Sequence, residues 1–411
     1  MTFGRHMSEK NHDILDVPPE SVADETHRRR GMFFLGLAVA WVGITMAMQM
    51  GLNANFLADE MKLTGSQLGC LEAARESCGV IALGVLAILA GFAEPFVAAA
   101  MLLLVGFGIA GYFLVREYAV LVSMSLVWSL GLHVWMPLPN SIALVLAEPG
   151  RSGHRLGQIQ ASGAAGFGSG LLIAWVLTLL HVPMRPLYLL AAGSAVLGAS
   201  MCLAIPRKIK TPGPRLVFKR EYSLYYVLCL LEGWRKQISI CFAGFLLVRV
   251  HHTRLEVLLL LWGAVQAIGY FASPPVGRLI DRVGECRILL FYYLCLTVFF
   301  VGYATIGVPW VLYALFVVDN AFFVFAMSLT TYVNRIAPRR ELTPTLSMGV
   351  AMNHVSAVTM PLVGGFLWSF LGYRWAFLIG ALAAALSTLA ALRVPKHMPH
   401  RPMPPFAPSE Y

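Results

Sequence analysis

The sequence predicts an all-α membrane protein with twelve transmembrane helices in two pseudo-symmetric six-helix bundles. Three observations carry this expectation. Hydrophobic residues make up 58% of the 411-residue chain and charged residues only 13%, against ~25% charge in an ordinary soluble domain. So little charge cannot cover a globular surface of this size, which argues against a soluble enzyme, a disordered protein and a disulfide scaffold. Apolar stretches near the ~20 residues that span a bilayer recur along the chain. The longest polar interior connection, 206–222, is basic and divides the chain almost in half.

The elements follow in order. Residues 1–30 are polar, carry mixed charge and end in Arg28-Arg29-Arg30, as expected of a cytoplasmic tail rather than a cleaved signal. The first bundle, 31–205, contains spans at 31–57, 65–91, 96–115, 118–147, 156–180 and 186–205. After the basic linker 206–222, the second bundle, 223–392, contains spans at 223–248, 257–276, 288–306, 310–333, 343–370 and 375–392. Glu148-Pro149-Gly150, Val182-Pro183 and Gly307-Val308-Pro309 supply turn chemistry at the breaks. Residues 393–411 form a Pro-rich tail, expected to be cytoplasmic and disordered.

Charge placement tests this map. Of the 31 Lys and Arg residues, 22 fall on the side shared by both termini, 6 on the other side and 3 within spans. This bias predicts an integral multi-pass protein with both termini cytoplasmic, in the cytoplasmic membrane if the source is bacterial. The net charge of +10 is spread between spans, so it does not point to nucleic acid. The seven cysteines show neither disulfide nor metal spacing. No phosphate-binding loop of the G-x-x-x-x-G-K-[ST] type is present, and no nucleophile–base set emerges; neither an enzyme, a cofactor nor a metal is expected. The lipid bilayer and a small solute are the expected partners of a monomer.

Gly277-Arg278-Leu279-Ile280-Asp281-Arg282-Val283-Gly284 follows the eighth span. It resembles the G-x-L-x-D-R-x-G signature of the major facilitator superfamily of secondary transporters. Met360-Pro361-Leu362-Val363-Gly364-Gly365 and Gly372-Tyr373-Arg374-Trp375-Ala376-Phe377 are similar to that family's eleventh span and the turn after it. The resemblance implies alternating access, with Gly277, Asp281, Arg282 and Gly284 as a gate loop that holds the cytoplasmic side closed. The pattern departs from the family twice. The 2–3 connection, Gly91-Phe92-Ala93-Glu94-Pro95, lacks the Asp-Arg pair, and the glycine run Gly163–Gly170 lacks the proline of the family's antiporters.

Ionisable groups at bilayer depth are costly unless paired or hydrated, so they point to function. Span 2 carries Glu72, Arg75 and Glu76; span 7 carries Glu232, Arg235, Lys236 and Gln237. Spacings of three and four residues allow pairing within each helix, with Arg75 as an ion-pair partner of Glu72. A pair across the halves, Glu76 with Arg235 or Lys236, is also expected. The adjacent Arg235 and Lys236 offer two cationic contacts to a carboxylate or phosphate. Glu232, Gln237, Gln49, Asn53 and Asn353 complete the expected substrate-binding set. Asp319, Glu76, Glu72 and His354 are the candidates for proton coupling. His133 is expected to bond a backbone carbonyl. The reading is proton-coupled secondary transport of a small polar, anionic or zwitterionic solute. The competing readings are a drug or metabolite exporter and a non-transporting assembly factor or sensor.

Overall fold

The computed structural model describes residues 25–89, 91–147, 152–206 and 218–395. Most of the two expected tails and the centre of the basic linker lie outside the described residues. Among the described residues every regular element is helical, and twelve segments are placed to cross a bilayer. They are α1 (Glu25–Asn55, continued by a π turn, Phe56–Glu60), α2 (Gly65–Ile88), α3 (Glu94–Gly111), α4 (Tyr118–Leu146), α5 (Ser152–Leu179) and α6 (Met184–Leu203). The second half contains α7 (Ser223–Ile238, a π turn at Ser239–Ala243, then Gly244–Arg249) and α8 (Leu255–Val283). It continues with α9 (Glu285–Thr305), α10 (Pro309–Ile336), α11 (Arg339–Leu371) and α12 (Tyr373–Ala391).

Ten of these helices qualify as spans on length and apolarity alone. The other two are α2 and α7, the helices that carry the charged clusters. Their polarity is local, and other features secure their placement. Thr64 caps α2 by accepting from the Gln67 N–H, while the Gln67 side chain accepts from the Thr64 N–H. This reciprocal box satisfies donors that a helix start otherwise leaves orphaned. The π turn in α7 widens the helix just past the charged residues, as π turns do at functional sites.

Small residues set the close approaches within the first half. A Cβ at Gly166 would lie 2.0 Å from the Ala40 carbonyl, and one at Gly170 would lie 2.7 Å from the Ile44 carbonyl. The glycine run of α5 therefore lets α1 pack backbone to backbone. The two halves meet along α1–α7 and α2–α11 at the end of the bundle remote from the chain termini, the far side. There Ser66 N–H donates to Ser369 Oγ at 2.8 Å, and Asn55 donates to the Thr253 carbonyl at 3.2 Å. Gly69 and Gly365 are the contact points of α2 and α11. A Cβ at Gly69 would lie 2.2 Å from the Pro361 carbonyl, and one at Gly365 would lie 2.4 Å from that of Gly65. Contacts between the halves thus shut the molecule on the far side.

One expected element changes form. The residues expected as a gate loop are helical: α8 continues through Pro274-Pro275 to Val283, so Gly277, Asp281 and Arg282 occupy its last turns. Arg282 there suits the negative end of the helix dipole. Gly284, at φ +89°, makes the whole turn into α9. Only glycine takes this conformation without strain. Gly91, between α2 and α3 in the first half, also has a positive φ, +92°.

Candidate functional site

The second-half cluster is built on α7. Glu232 and Arg235, one turn apart, form an ion pair in which Arg235 is fully buried. Tyr292 of α9 accepts from the Arg235 guanidinium at 2.8 Å and donates to Glu232 at 2.9 Å. Asp319 of α10, also fully buried, lies 4.0 Å from Arg235 Nη1 and accepts from Ser239 Oγ. Phe323 and Tyr292 cover the guanidinium at 4.8 and 5.3 Å from their ring centroids. Two carboxylates face one guanidinium, so the trio balances in charge only with one proton bound.

Lys236 points elsewhere. Successive residues of a helix are turned by about 100°, which puts Arg235 into the half-bundle core and Lys236 on the wall of a cavity of about 470 Å³. Gln266 and Ser273 of α8, Asn320 of α10 and Met50 of α1 share that wall, with Trp262 and Phe323 as its large apolar faces. Among the described residues, no carboxylate lies within salt-bridge distance of Lys236, whereas Arg75 and Arg235 each have two. The expected pair of adjacent cations is therefore divided between two environments.

The first-half cluster is built on α2. Arg75 pairs with the buried Glu72 and, at 3.3 Å, with Glu76; its guanidinium also sits 5.5 Å from the Trp128 ring centroid. Glu76 reaches across the halves, but to a different partner from the expected cations. Its Oε2 is 3.9 Å from His354 Nδ1 of α11 and 4.0 Å from His133 Nε2 of α4. The reason is placement. Arg235 is enclosed by α9 and α10, while His354 sits on the helix that packs against α2. His133 Nδ1 donates to the Ser129 carbonyl at 2.9 Å, the backbone bond expected of it.

The remaining expected residues distribute around these clusters. Buried Gln49 donates to Asn53 at 3.4 Å, and Asn53 is a hydrogen-bond neighbour of Glu72. Buried Gln237 donates to Cys241 in the π turn, whose thiol faces the charges of α2. Asn353 is half-buried beside His354. Asp281 and Arg282 are exposed on the termini side, away from either cluster. At the same end, buried Glu285 pairs with Arg335 of α10 at 2.6 Å. Buried Glu94 accepts from Ser141 of α4 at 2.9 Å, an echo of that contact in the first half. Tyr292 and Ser239 were not singled out from sequence. Each lies in an apolar run, and only the partner brought by another helix marks it.

The described residues thus form twelve helices in two bundles, with charged clusters on α2 and α7. A family model described as Major Facilitator Superfamily matches residues 242–409. No curated protein sequence matches the chain. Solved structures similar to it include a point mutant of the nucleoside transporter NupG, with TM-score 0.75 and 13% identity over 88% of this chain and 98% of that one. A bacterial homologue of the human lysosomal transporter Spinster, inward-facing and unoccupied, has TM-score 0.72 and 14% identity over 90% and 98%. A mutant of the peptide transporter POT has TM-score 0.67 and 13% identity over 88% and 93%. The family match is confined to the second half of the chain, and the likeness to these structures shows that the whole chain shares their fold.

Proposed function

We propose that this protein is a secondary active transporter that moves a small anionic or zwitterionic solute by alternating access, coupled to protons. The observation that carries the reading is Lys236. An ammonium halfway along α7, without a carboxylate partner among the described residues, borders a cavity of about 470 Å³ with Gln266, Ser273 and Asn320 beside it. A cation at that depth is costly unless a counter-charge or water meets it, and an anionic solute supplies the charge. The amides and hydroxyl offer donors and acceptors for its polar groups, and Trp262 and Phe323 shape its apolar part.

Proton coupling is assigned to the Glu232–Arg235–Asp319 trio. Its one uncompensated negative charge is a proton-binding capacity, and Asp319 is one residue from Asn320 on the cavity wall. Glu72 and Glu76, paired with Arg75, are assigned to the contact between the halves. With the termini cytoplasmic, as the charge bias predicts, the described arrangement is inward-facing.

The test is a screen of radiolabelled carboxylates, phosphates and amino acids in proteoliposomes with an imposed pH gradient. Wild-type protein is expected to accumulate one chemical class, driven by the gradient. Lys236→Ala is expected to weaken the apparent affinity at least tenfold, with Lys236→Arg retaining part of it. Equal affinity in wild type and Lys236→Ala would remove the anion assignment, and uptake of many unrelated uncharged compounds would favour an exporter.

A further inference from the structure

Glu76, His133 and His354 come from α2, α4 and α11, and one ligand atom of each lies within 4.8 Å of the other two. We propose that these three side chains form a binding site for a divalent transition-metal ion of the zinc type, with ligands from both halves of the protein.

Each donor is prepared for this. The Ser129 carbonyl can only accept, so His133 Nδ1 carries the proton and Nε2 presents its lone pair toward Glu76. A backbone partner behind a ligating imidazole is the usual way such a ring is oriented. Ser129 is held in turn by its hydroxyl, which donates to the Arg75 carbonyl at 2.8 Å. Glu76 divides its oxygens: Oε1 accepts from Arg75, and Oε2 faces both histidines. His354 Nδ1 is shielded from solvent and has no hydrogen-bond partner. The two rings meet edge to face, with centroids 5.4 Å apart.

Gly79 makes the space. A Cβ there would lie 2.5 Å from His354 Nδ1 and 3.1 Å from His133 Cδ2, so a side chain at this position would displace the rings. Zinc bonds of about 2.0–2.2 Å in a tetrahedron place ligand atoms about 3.3–3.5 Å apart. The 3.9 and 4.0 Å from Glu76 to the two histidines must each shorten by about half an ångström, and the histidine nitrogens, within 4.8 Å of each other, must close as well. Two imidazoles and a carboxylate suit zinc, cobalt and nickel, and the fourth position falls to water. Glu72 balances Arg75, leaving the Glu76 charge for the ion.

Metal binding is measured on the purified full-length protein and does not depend on the transport reading. Titration with Co²⁺ and Zn²⁺, by visible absorption and calorimetry, is expected to show one saturable site, with the Co²⁺ spectrum that of a four-coordinate ion. His133→Ala and His354→Ala are each expected to weaken it at least tenfold. Gly79→Ala, which removes no ligand, is expected to weaken it as well. A His397→Ala/His400→Ala variant, which alters only the tail, is expected to keep it. Thermal unfolding without metal checks that each variant folds, and Glu76→Gln supplies a second ligand variant should one histidine change prevent folding. No saturable binding in wild type would overturn the proposal. So would unchanged binding in the His133→Ala/His354→Ala double variant, or loss of the site in the tail variant.

Discussion

Arg235 and Lys236 are neighbours in sequence with opposite duties, and they should fail in opposite ways. Arg235 is enclosed by Glu232, Tyr292, Asp319 and Phe323. Its replacement by alanine leaves two buried carboxylates without their cation, and breaking such a pair typically costs about 3–5 kcal/mol. Arg235→Ala is therefore expected to lower the unfolding temperature in detergent sharply. Lys236→Ala, which takes an unpaired charge off a cavity wall, should leave it nearly unchanged. A wild-type melting curve for Arg235→Ala would show that the trio does not hold the half-bundle together. At this scale the sequence reveals the charges and their i,i+3 spacing but not their surroundings. Glu232 and Arg235 pair as spacing dictates, yet the residues that enclose them come from α9 and α10. A hydroxyl such as Tyr292, set in an apolar run, carries no mark of its role until the helices pack.

The helices themselves were legible because bilayer thickness fixes their length and an apolar surface fixes their composition. Their ends were less so. Gly277–Val283 has the charge and glycine content of a turn, yet Arg282 suits a helix C-terminus and Gly284 supplies the whole reversal, so α8 keeps its hydrogen bonds to Val283. The contact of α2 with α11 shows what sequence alone leaves open. Gly65 and Gly69 recur at i,i+4 like many small-residue pairs, and only the structure shows that they meet Gly365 and Pro361 of the other half. Gly69→Val places a branched side chain where even a Cβ would lie 2.2 Å from the Pro361 carbonyl, so the two helices must separate. This variant is expected to favour the state open on the far side and to lose transport. Spin labels on the far ends of α2 and α11 should report a longer separation than in wild type. An unchanged distance distribution would mean that the contact does not set the closure.

At the scale of the molecule, six spans, a basic linker and six more spans announce two bundles, and the G-x-L-x-D-R-x-G segment resembles that of the major facilitator superfamily. The conformation leaves no trace in the sequence, because a carrier of the proposed kind must be stable in at least two arrangements with the same residues. Here the closed side is defined by a few contacts between the halves: Ser66 with Ser369 and Gly365, and Asn55 with Thr253. If these contacts open and close in each transport cycle, fixing one of them should stop the cycle without destroying the solute site. A Ser66→Cys/Ser369→Cys pair, in a Cys70→Ser background because Cys70 is exposed one turn away, places two thiols across the closed side. Joining them with a short, reducible bifunctional thiol reagent is expected to abolish exchange in proteoliposomes. Solute binding from the termini side should persist, since Lys236 and its cavity lie beyond the cross-link, and reduction should restore flux. Exchange that continued in fully cross-linked protein would show that the far side need not open. Loss of binding would show that the site is not reached from the termini side, which would move the solute away from Lys236.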